Sequence, residues 1–420
     1  MITRVKGTQD FLDLTLLNFL LASVRAHVSK YHYAEIQTPI FENTQLFTRS
    51  LGEHTDVVNK EMFSVMMRDE NDHVCLRPEA TASIVRAFVE NGVQQVPWKV
   101  FTYGPMFRYE RPQKGRFRQF HQISFEVIGS ASVAQDVELI VMLDRLFHEV
   151  LMINDSALLI NYLGCQADRV NYEHAVRTFL TPDRLATICS TCTDRVNRNL
   201  LRIFDCKNPA CQSLYADAPC TTDSLCVACT IEWQQLQDWL EMLSVSYVHQ
   251  PRLVRGLDYY SKTVFEFVSN GLGAQNAFCA GGRYDQLVKQ VGGKKDEPSV
   301  GAALGIERIL LMLEPIKDRL LLPAPQPLHV IMPMEAEQVP LALLVADELV
   351  AHGHTTQVLV EGGSLKNMMS KANKMGAAHA IIIGPDEHAA NEVMLKNMIT
   401  GNGQRVAQSA LVEALKPTQQ

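Results

Sequence analysis

The residues best suited to chemistry lie in one segment, 104–129, with the sequence GPMFRYERPQKGRFRQFHQISFEVIG. The segment is typical of two strands joined by a basic loop, because turn-forming residues occupy positions 112–115. One acid, Glu110, stands among five cations, which are Arg108, Arg111, Lys114, Arg116 and Arg118. Because guanidinium and ammonium groups bind phosphates, the loop predicts a site for a nucleotide.

The return strand of this segment carries groups of another kind. Since side chains alternate along a strand, one face holds Arg118, Phe120, Gln122, Ser124 and Glu126. An amide and a carboxylate on that face suit a small molecule with an amine or a ring N–H. The segment as a whole therefore predicts an enzyme that brings a nucleotide to an amino acid. A solvated sheet edge, protected by its charges, is the alternative interpretation.

Two further segments could serve the same site. Residues 76–81 (LRPEAT) open a helix, where Glu79 and Thr81 could present oxygens to an ammonium group. Alternatively, Glu79 only stabilises the helix end. Residues 255–260 (RGLDYY) combine the guanidinium of Arg255 with two tyrosines, which suits a carboxylate or phosphate beside an aromatic substrate. A loop packed by its two tyrosines is the alternative there.

Two glycine-containing segments complete the set. Residues 280–285 (AGGRYD) predict a turn with a cation and an aromatic residue. Residues 301–308 (GAALGIER) run from a strand into a helix, and their glycines leave room for a flat base. Arg308 lies in the first turn of that helix, where the helix field also favours phosphate. The P-loop pattern is absent.

Length and composition describe an ordinary globular chain. With 420 residues we expect two or three domains, and the net charge of −7 restricts any nucleic-acid contact to local basic patches. We find no transmembrane run, and the apolar stretch 14–24 is better explained as a core helix than as a signal peptide. The ten cysteines then belong to a reducing, cytoplasmic setting and need not form disulfides.

The element pattern predicts an α+β fold. Helices are expected over 14–31, 80–89 and 133–151, and strands over 264–268 and 300–304 beside the hairpin, which favours an antiparallel sheet. A helical, cysteine-rich subdomain is inserted at about 165–247. A proline-rich linker, 321–327, separates residues 1–320 from a small C-terminal α/β domain, 328–420, with three strands and two helices.

The cysteines of the insertion allow two interpretations. Cys189 and Cys192 form one C-x-x-C pair, and Cys226 and Cys229 form another, which together could bind Zn²⁺ tetrahedrally. The 33 residues between the pairs exceed the usual gap of a zinc ribbon. Free thiols are therefore the favoured interpretation.

Taken in order, these segments resemble a class II aminoacyl-tRNA synthetase of the histidyl-tRNA synthetase family, bacterial type. Residues 5–10 (VKGTQD) are similar to that family's opening, and residues 36–39 (IQTP) to class II motif 1. The hairpin resembles motif 2, and residues 305–308 (GIER) resemble motif 3. The two segments RGLDYY and AGGRYD match the histidine-specific signatures, which are more specific than the general motifs. Ala80 departs from the frequent glycine.

The resemblance implies a catalytic domain with an antiparallel sheet and a C-terminal anticodon-binding domain. It implies ATP-dependent activation of L-histidine to histidyl-adenylate and transfer to the 3′ end of tRNA(His), with Mg²⁺ accompanying ATP. It also implies a cytoplasmic homodimer without membrane contact. By match to the motifs, Arg108 and Arg255 would hold the α-phosphate, and the ATP-binding residues would be Arg108, Glu110, Arg116 and Arg308.

The same match implies residues for the other substrates. Histidine would be bound by Glu79, Thr81, Gln122, Glu126, Tyr259, Tyr260 and Tyr284. The acceptor stem of tRNA would meet Gln113, Lys114 and Arg118. Candidate contacts in the anticodon-binding domain are Lys366, Lys371, Lys374 and Arg405, although solvated side chains explain any one of them equally well.

Three other functions agree less well with these residues. A non-catalytic regulatory paralogue of the same fold would tend to lack the tail domain and to lose the ATP-binding arginines, and both are present here. A pure RNA-binding module would not need the RGLDYY and AGGRYD segments. A synthetase for another amino acid is disfavoured by the same two signatures.

Overall fold

A computed structural model describes residues 2–52, 55–69, 71–113, 115–273 and 276–416. The chain forms two compact units, Met1–Leu322 and Pro323–Gln420. The α-helices are α1 (Thr15–Val28), α2 (Thr44–Leu51), α3 (Thr81–Glu90), α4 (Val133–Arg145), α5 (Gln166–Phe179), α6 (Pro182–Leu185), α7 (Ser190–Arg198), α8 (Pro209–Tyr215), α9 (Val227–Met242), α10 (Leu287–Gln290), α11 (Ile306–Leu313), α12 (Val339–Ala351), α13 (Leu365–Lys374), α14 (Pro385–Ala390) and α15 (Leu411–Ala414). The β-strands are β1 (Ala34–Glu35), β2 (Phe41–Asn43), β3 (Phe63–Val65), β4 (Val74–Leu76), β5 (Trp98–Phe107), β6 (Gln119–Ile128), β7 (Ser156–Tyr162), β8 (Val248–His249), β9 (Ser261–Ser269), β10 (Ala277–Arg283), β11 (Ser299–Gly305), β12 (Leu328–Pro333), β13 (Thr355–Val358), β14 (His379–Ile383), β15 (Glu392–Asn397) and β16 (Gly403–Ala407).

The first unit is built on an eight-stranded sheet in the order β1-β5-β6-β11-β10-β9-β7-β8. The central pairs are antiparallel, and only the short edge strands β1 and β8 pair in parallel within the described residues. The predicted hairpin is present as β5 and β6, with Phe107 opposite Gln119. The predicted α+β class with an antiparallel sheet is confirmed.

Helices α1 and α4 cover one face of this sheet. In α1, Leu16, Leu20 and Val24 recur at helical spacing and are buried in the same core as Phe125 of β6. The predicted helix over 14–31 ends earlier as an α-helix, at Val28, and continues as a 3₁₀ turn. Because this face is apolar, the alternation of the strands directs polar side chains to the other face.

The segment 280–285 is mostly strand rather than the predicted turn. Strand β10 runs through both glycines, and the chain leaves it at Arg283. A Cβ atom on Gly281 would lie 2.4 Å from the carbonyl oxygen of Gly301, and one on Gly282 would lie 2.6 Å from that of Thr263. These glycines therefore permit close strand packing, which local sequence does not distinguish from a turn.

The insertion consists of helices α5 to α9 with short 3₁₀ turns between them. Its longest helix, α9, buries Trp233, Leu236 and Leu240 in the main core. No helix in the described part of the chain is long and apolar enough to cross a membrane.

The second unit holds a five-stranded sheet in the order β13-β12-β14-β15-β16. Strands β12, β13 and β14 are parallel, as the alternating pattern predicts, and the side chain of Ser364 caps α13. Strands β15 and β16 add an antiparallel edge that the sequence prediction missed.

Candidate active site

One cavity of about 390 Å³ in the first unit gathers most of the predicted site residues. Those that line it are Glu79, Thr81, Arg108, Glu110, Arg116, Gln122, Arg255, Tyr259, Tyr260 and Arg308. They come from the β5–β6 hairpin, the start of α3, the loop before β9 and the first turn of α11. The antiparallel sheet therefore brings four separate stretches of sequence to one place.

Strand β6 supplies an amide and a carboxylate to this site. Ile123 and Phe125 belong to the hydrophobic core, so the alternation of the strand puts Gln122 and Glu126 on the opposite face. In the pairing of β6 with β11, Gln122 lies opposite Gly305, and Glu126 lies opposite a second glycine, Gly301. The Oε1 atom of Gln122 is buried and has no hydrogen-bond partner within the described ranges, so it can bind a ligand.

Glu79 stabilises the start of α3 and lines the cavity at the same time. Its Oε1 accepts from the backbone N–H of Ala82 at 2.7 Å, and its Oε2 accepts from that of Thr81 at 3.0 Å. Burial raises the pKa of Glu79, against these hydrogen bonds and the charge of Arg108, which lower it. Both interpretations of this residue are thus compatible, because a carboxylate fixed on a helix end is also a rigid acceptor.

Glu126 and Tyr284 lie outside the cavity lining and are joined to it through Thr81. The Thr81 hydroxyl donates to Glu126 Oε1 at 2.7 Å, and the Tyr284 hydroxyl donates to Oε2. Glu126 is fully buried, and burial raises its pKa to about 8, against these two hydrogen bonds, which lower it. A carboxyl group with such a pKa can exchange a proton near neutral pH.

Three tyrosines pack around this carboxyl group. The ring of Tyr259 lies 4.6 Å from that of Tyr260 and 5.6 Å from that of Tyr284, between centroids. All three are buried, so they form a preorganised apolar wall with phenol groups along it. Such a wall suits a small planar ring that also needs hydrogen bonds.

The arginines of the site are anchored by protein groups. Arg108 Nε donates to the carbonyl of Pro78 at 2.9 Å, while Arg255 pairs with Glu266. Arg308 donates to the carbonyl of Ala277. Burial lowers the pKa of Arg308 and that of Arg116, which pairs with Glu110. These partly desolvated guanidinium groups are suited to a polyanion, since their attraction to phosphate is screened less than at the surface.

Two supporting contacts were missed by the sequence prediction. Arg77 is 1% exposed, and its Nη1 donates to both the carbonyl and the hydroxyl of Thr38 at 2.9 Å. The carboxylate of Glu307 accepts the backbone N–H of His121 at 3.0 Å and lies 2.9 Å from its Nδ1. Arg77 and Glu307 both lie in segments that carry predicted site residues. The local sequence, however, does not indicate partners so far away along the chain.

A third missed residue comes from the insertion. Arg202 lines the cavity, and its Nη1 would lie 2.8 Å from a Cβ atom on Gly256. Asn199 donates through Nδ2 to Asp258 Oδ1 at 2.6 Å. The insertion therefore contacts the 255–260 loop directly. The local sequence of either segment does not predict this contact.

Two predicted tRNA contacts of the hairpin loop, Gln113 and Arg118, are not among the residues that line the cavity. Arg118 stacks on Tyr109, with Cζ 3.7 Å from the ring centroid, and Gln113 pairs with Arg116 across the hairpin loop. Lys114 lies outside the described residues. In the second unit, Arg405 pairs with Glu387 at 3.2 Å. The remaining candidates there lie on α13 and are Lys366, Lys371 and Lys374.

The structure does not bring the two C-x-x-C pairs together. Two groups form instead, each with ligand atoms within 4.8 Å of one another: Cys189, Cys192, Cys206 and Cys211, and Cys165, Asp168, Cys226 and Cys229. The reason is local, because the chain after α7 folds back on Cys189, whereas α9 begins beside the start of α5. The predicted four-cysteine set is therefore replaced by two others.

Comparison with known proteins agrees with this geometry. The family model described as Histidyl-tRNA synthetase matches residues 15–309, and the one described as Anticodon binding domain matches residues 329–418. The chain is 41% identical over 418 residues to the histidine–tRNA ligase of Solidesulfovibrio magneticus, covering 99% of this chain and 97% of that protein. The histidine–tRNA ligase of Nitratidesulfovibrio vulgaris is also 41% identical over 418 residues, with 99% and 98% covered. The crystal structure of apo S. aureus histidyl-tRNA synthetase superposes with a TM-score of 0.80 at 31% identity, covering 99% of this chain and 100% of that one.

The fold, the cavity and the two domain matches define an aminoacyl-tRNA synthetase, which is a ligase. More particularly, the chain belongs to the histidyl-tRNA synthetase family, since both the family model and full-length relatives above 30% identity match it. The family and the enzyme class predicted from the sequence are confirmed.

Proposed function

We propose that this protein activates L-histidine with ATP and transfers it to the 3′ end of tRNA(His). The observation that supports this most strongly is the convergence of three guanidinium groups, from Arg108, Arg255 and Arg308, on one cavity. The carboxylate of Glu79 and the amide oxygen of Gln122, which has no hydrogen-bond partner among the described residues, line the same cavity. A polyanion and a small ammonium compound have complementary partners in that one cavity.

The first step is substitution at phosphorus. A carboxylate oxygen of histidine attacks the α-phosphorus of ATP, an O–P bond forms, and the bond to the bridging oxygen of pyrophosphate breaks. Negative charge grows on the leaving pyrophosphate, so positioning and charge neutralisation dominate catalysis. Arg108 and Arg255 would hold the α-phosphate, with Arg255 also close to the attacking carboxylate. Arg116 and Arg308 would neutralise the outer phosphates.

Histidine would be recognised at both ends. Glu79, Thr81 and Gln122 would hold the ammonium group, and Glu126 with Tyr260 would bind the two ring nitrogens. The bonds from the ring nitrogens would add to those that Glu126 already accepts from Thr81 and Tyr284, and a side chain without matching nitrogens would forgo them, which gives discrimination. Tyr259 and Tyr284 would complete the wall around the imidazole.

Magnesium would accompany ATP, because its triphosphate is highly charged. Mg²⁺ is commonly held by one or two carboxylates together with substrate phosphates. Glu61 and Glu110 line the cavity, and their carboxylates fit this role. When bound, the ion would neutralise part of the phosphate charge.

The second step needs tRNA. We assign the acceptor stem to the hairpin loop with Gln113, Lys114 and Arg118, and the anticodon to the second unit. A homodimer is part of the proposal as well, and it is based on the resemblance of residues 36–39 to class II motif 1. We place this work in the cytoplasm, where protein synthesis and reduced thiols coincide.

ATP–pyrophosphate exchange with each of the twenty amino acids tests the proposal. We expect histidine alone to support exchange. Faster exchange with another amino acid would show that the specificity assignment is wrong. A folded protein that exchanges with none would instead support the regulatory paralogue, which the three retained arginines disfavour.

A further inference from the structure

The insertion holds a group of four thiols that the proposed reaction does not use. Cys189 precedes α7, Cys192 lies within it, Cys206 follows the 3₁₀ turn Leu200–Asp205, and Cys211 lies in α8. All four sulfur atoms lie within 4.8 Å of one another. Three of the thiols are buried, and that of Cys189 is partly exposed.

The spacing of the sulfurs is that of a tetrahedral metal site. The Sγ atoms of Cys189 and Cys206 are 3.7 Å apart. Four thiolates at about 2.3 Å from a zinc ion lie about 3.8 Å from one another, whereas a disulfide would require about 2.05 Å. The sequence spacing, C-x₂-C followed by C-x₄-C, is also that of structural zinc sites.

Backbone amides already point at two of these sulfurs. The N–H of Cys189 donates to Cys211 Sγ at 3.3 Å, and the N–H of Asn208 donates to Cys206 Sγ at 3.4 Å. Neutral thiols are weak acceptors, but thiolates gain from such donors, and partners of this kind orient metal ligands. The arrangement therefore suits the deprotonated form that binds a metal.

We propose that Cys189, Cys192, Cys206 and Cys211 bind one structural zinc ion. Four protein ligands fill the tetrahedral shell, so no position remains for a substrate, and the role is structural. The elements that the ion would join are short: α7 has nine residues and α8 has seven. Such pieces have little core of their own, and a metal can supply the missing stability.

The proposed ion also bears on the active site. The chain between Cys192 and Cys206 carries Asn199 and Arg202, which contact the 255–260 loop. Fixing both ends of that stretch on one ion restricts how far these two side chains can move. The zinc site would thereby order one wall of the cavity from outside it.

The second group, which contains Cys165, Asp168, Cys226 and Cys229, provides a control for the proposed zinc site. Asp168 Oδ1 accepts from the backbone N–H of Cys226 at 2.8 Å, and its Oδ2 accepts from that of Cys165 at 3.1 Å. These two hydrogen bonds explain the position of the Asp168 carboxylate without a bound metal ion. Cys226 is exposed, so Cys226→Ser changes a thiol of the insertion outside the proposed site.

Metal analysis of the purified full-length chain, after incubation with zinc and extensive dialysis, tests the proposal. We expect one tightly held zinc ion per chain that Cys226→Ser retains and that Cys206→Ser and Cys211→Ser each lose, to below a tenth of the parent's content. A parent chain without bound zinc, or a Cys206→Ser variant with unchanged zinc, would overturn the assignment.

A spectroscopic measurement avoids dependence on the folding of the variants. Cobalt loaded into the parent chain should give the strong visible bands of tetrahedral thiolate coordination and should be displaced by one equivalent of zinc. Weak bands typical of octahedral oxygen ligands would contradict a four-cysteine site. Neither readout involves aminoacylation, so failure here leaves the proposed function untouched.

Discussion

Glu126 and Gly301 face each other across β6 and β11, and a Cβ atom on Gly301 would lie 1.6 Å from Glu126 Oε2. That distance is far shorter than any contact that a Cβ atom makes with a non-bonded neighbour. The carboxyl group that we assign to imidazole recognition therefore occupies the space of a missing side chain on the neighbouring strand. Its position depends on a residue that carries no chemistry itself.

Gly301→Ala should displace this carboxyl group. We expect kcat/KM for histidine in pyrophosphate exchange to fall by about 100-fold or more, because misplacement by about 1 Å carries a cost of that size. Gly403→Ala is the matched control, since a Cβ atom there would lie 3.5 Å from Met394 Sδ, an ordinary contact in another strand. Equal, small effects of the two substitutions would contradict the steric argument.

The raised pKa of Glu126 predicts a pH dependence of stability. With a pKa of about 8 in the folded chain and 4.5 as the ordinary value, the folded state binds the proton more tightly than the unfolded state. This contribution is complete below pH 4.5 and is lost as the pH rises through about 8, so the free energy of unfolding falls over that window.

Glu126→Gln should reduce this slope, by at most about 1.4 kcal/mol per pH unit, in urea unfolding measured from pH 5 to pH 8. Glu35→Gln serves as the control, because a hydrogen bond from Arg25 lowers the pKa of Glu35, so its contribution is lost only at acid pH. If the parent and Glu126→Gln follow parallel curves, Glu126 does not titrate in this window.

Arg255→Ala should abolish adenylation while the chain stays folded. Removing one preorganised charge that stabilises a transition state costs about 10²- to 10³-fold in kcat. Arg252→Ala is the matched control, since Arg252 Nη2 donates at 2.7 Å to the carbonyl of Ala218 in the insertion. Near-normal exchange by Arg255→Ala would remove this residue from the mechanism.

A second variant distinguishes the loss of a catalytic group from the effect of leaving Glu266 without its ion-pair partner. Arg255 pairs with Glu266, so Arg255→Ala also leaves a carboxylate without its cation. If that carboxylate caused the loss, Arg255→Ala/Glu266→Gln would recover exchange. We expect the double variant to remain as impaired as Arg255→Ala, because the α-phosphate would still lack one of its two guanidinium groups.

Glu307→Ala should destabilise the first unit. The substitution leaves the partly buried N–H of His121 without the carboxylate that it now contacts at 3.0 Å, and an unsatisfied donor of this kind costs about 1 kcal/mol. We expect a loss of this size in the free energy of unfolding, measured by urea titration. The exposed residue of the same region, Glu314, offers the control Glu314→Ala, for which we expect less than about 0.5 kcal/mol.

Local periodicity was enough to predict the main elements of the site. The alternation along β6 separated Gln122 and Glu126 from the core residues, and the pattern near Thr81 predicted α3. Both rest on side chains a few residues apart, which a single sequence displays directly. The sequence therefore predicts the secondary structure of the site wherever residues close along the chain determine which side chains are buried.

Partners distant along the chain could not be predicted in the same way. The sequence predicts a turn at the glycines of β10, because the neighbours that require glycine there, such as Gly301, come from other strands. The antiparallel strand β15, with the sequence EVMLKN, has a mixed pattern that its position between β14 and β16 explains. Cys206 likewise joins Cys189 through the path of the intervening chain, which the two C-x-x-C pairs do not indicate.

The pairing of Gln122 with Gly305 and of Glu126 with Gly301 has an evolutionary consequence. An inserted or deleted residue between the two polar positions would turn one of them into the apolar interior and move it off its glycine. An insertion or deletion within this part of β6 would therefore disrupt the site. New amino-acid preferences would have to arise by replacement of individual side chains on an unaltered strand.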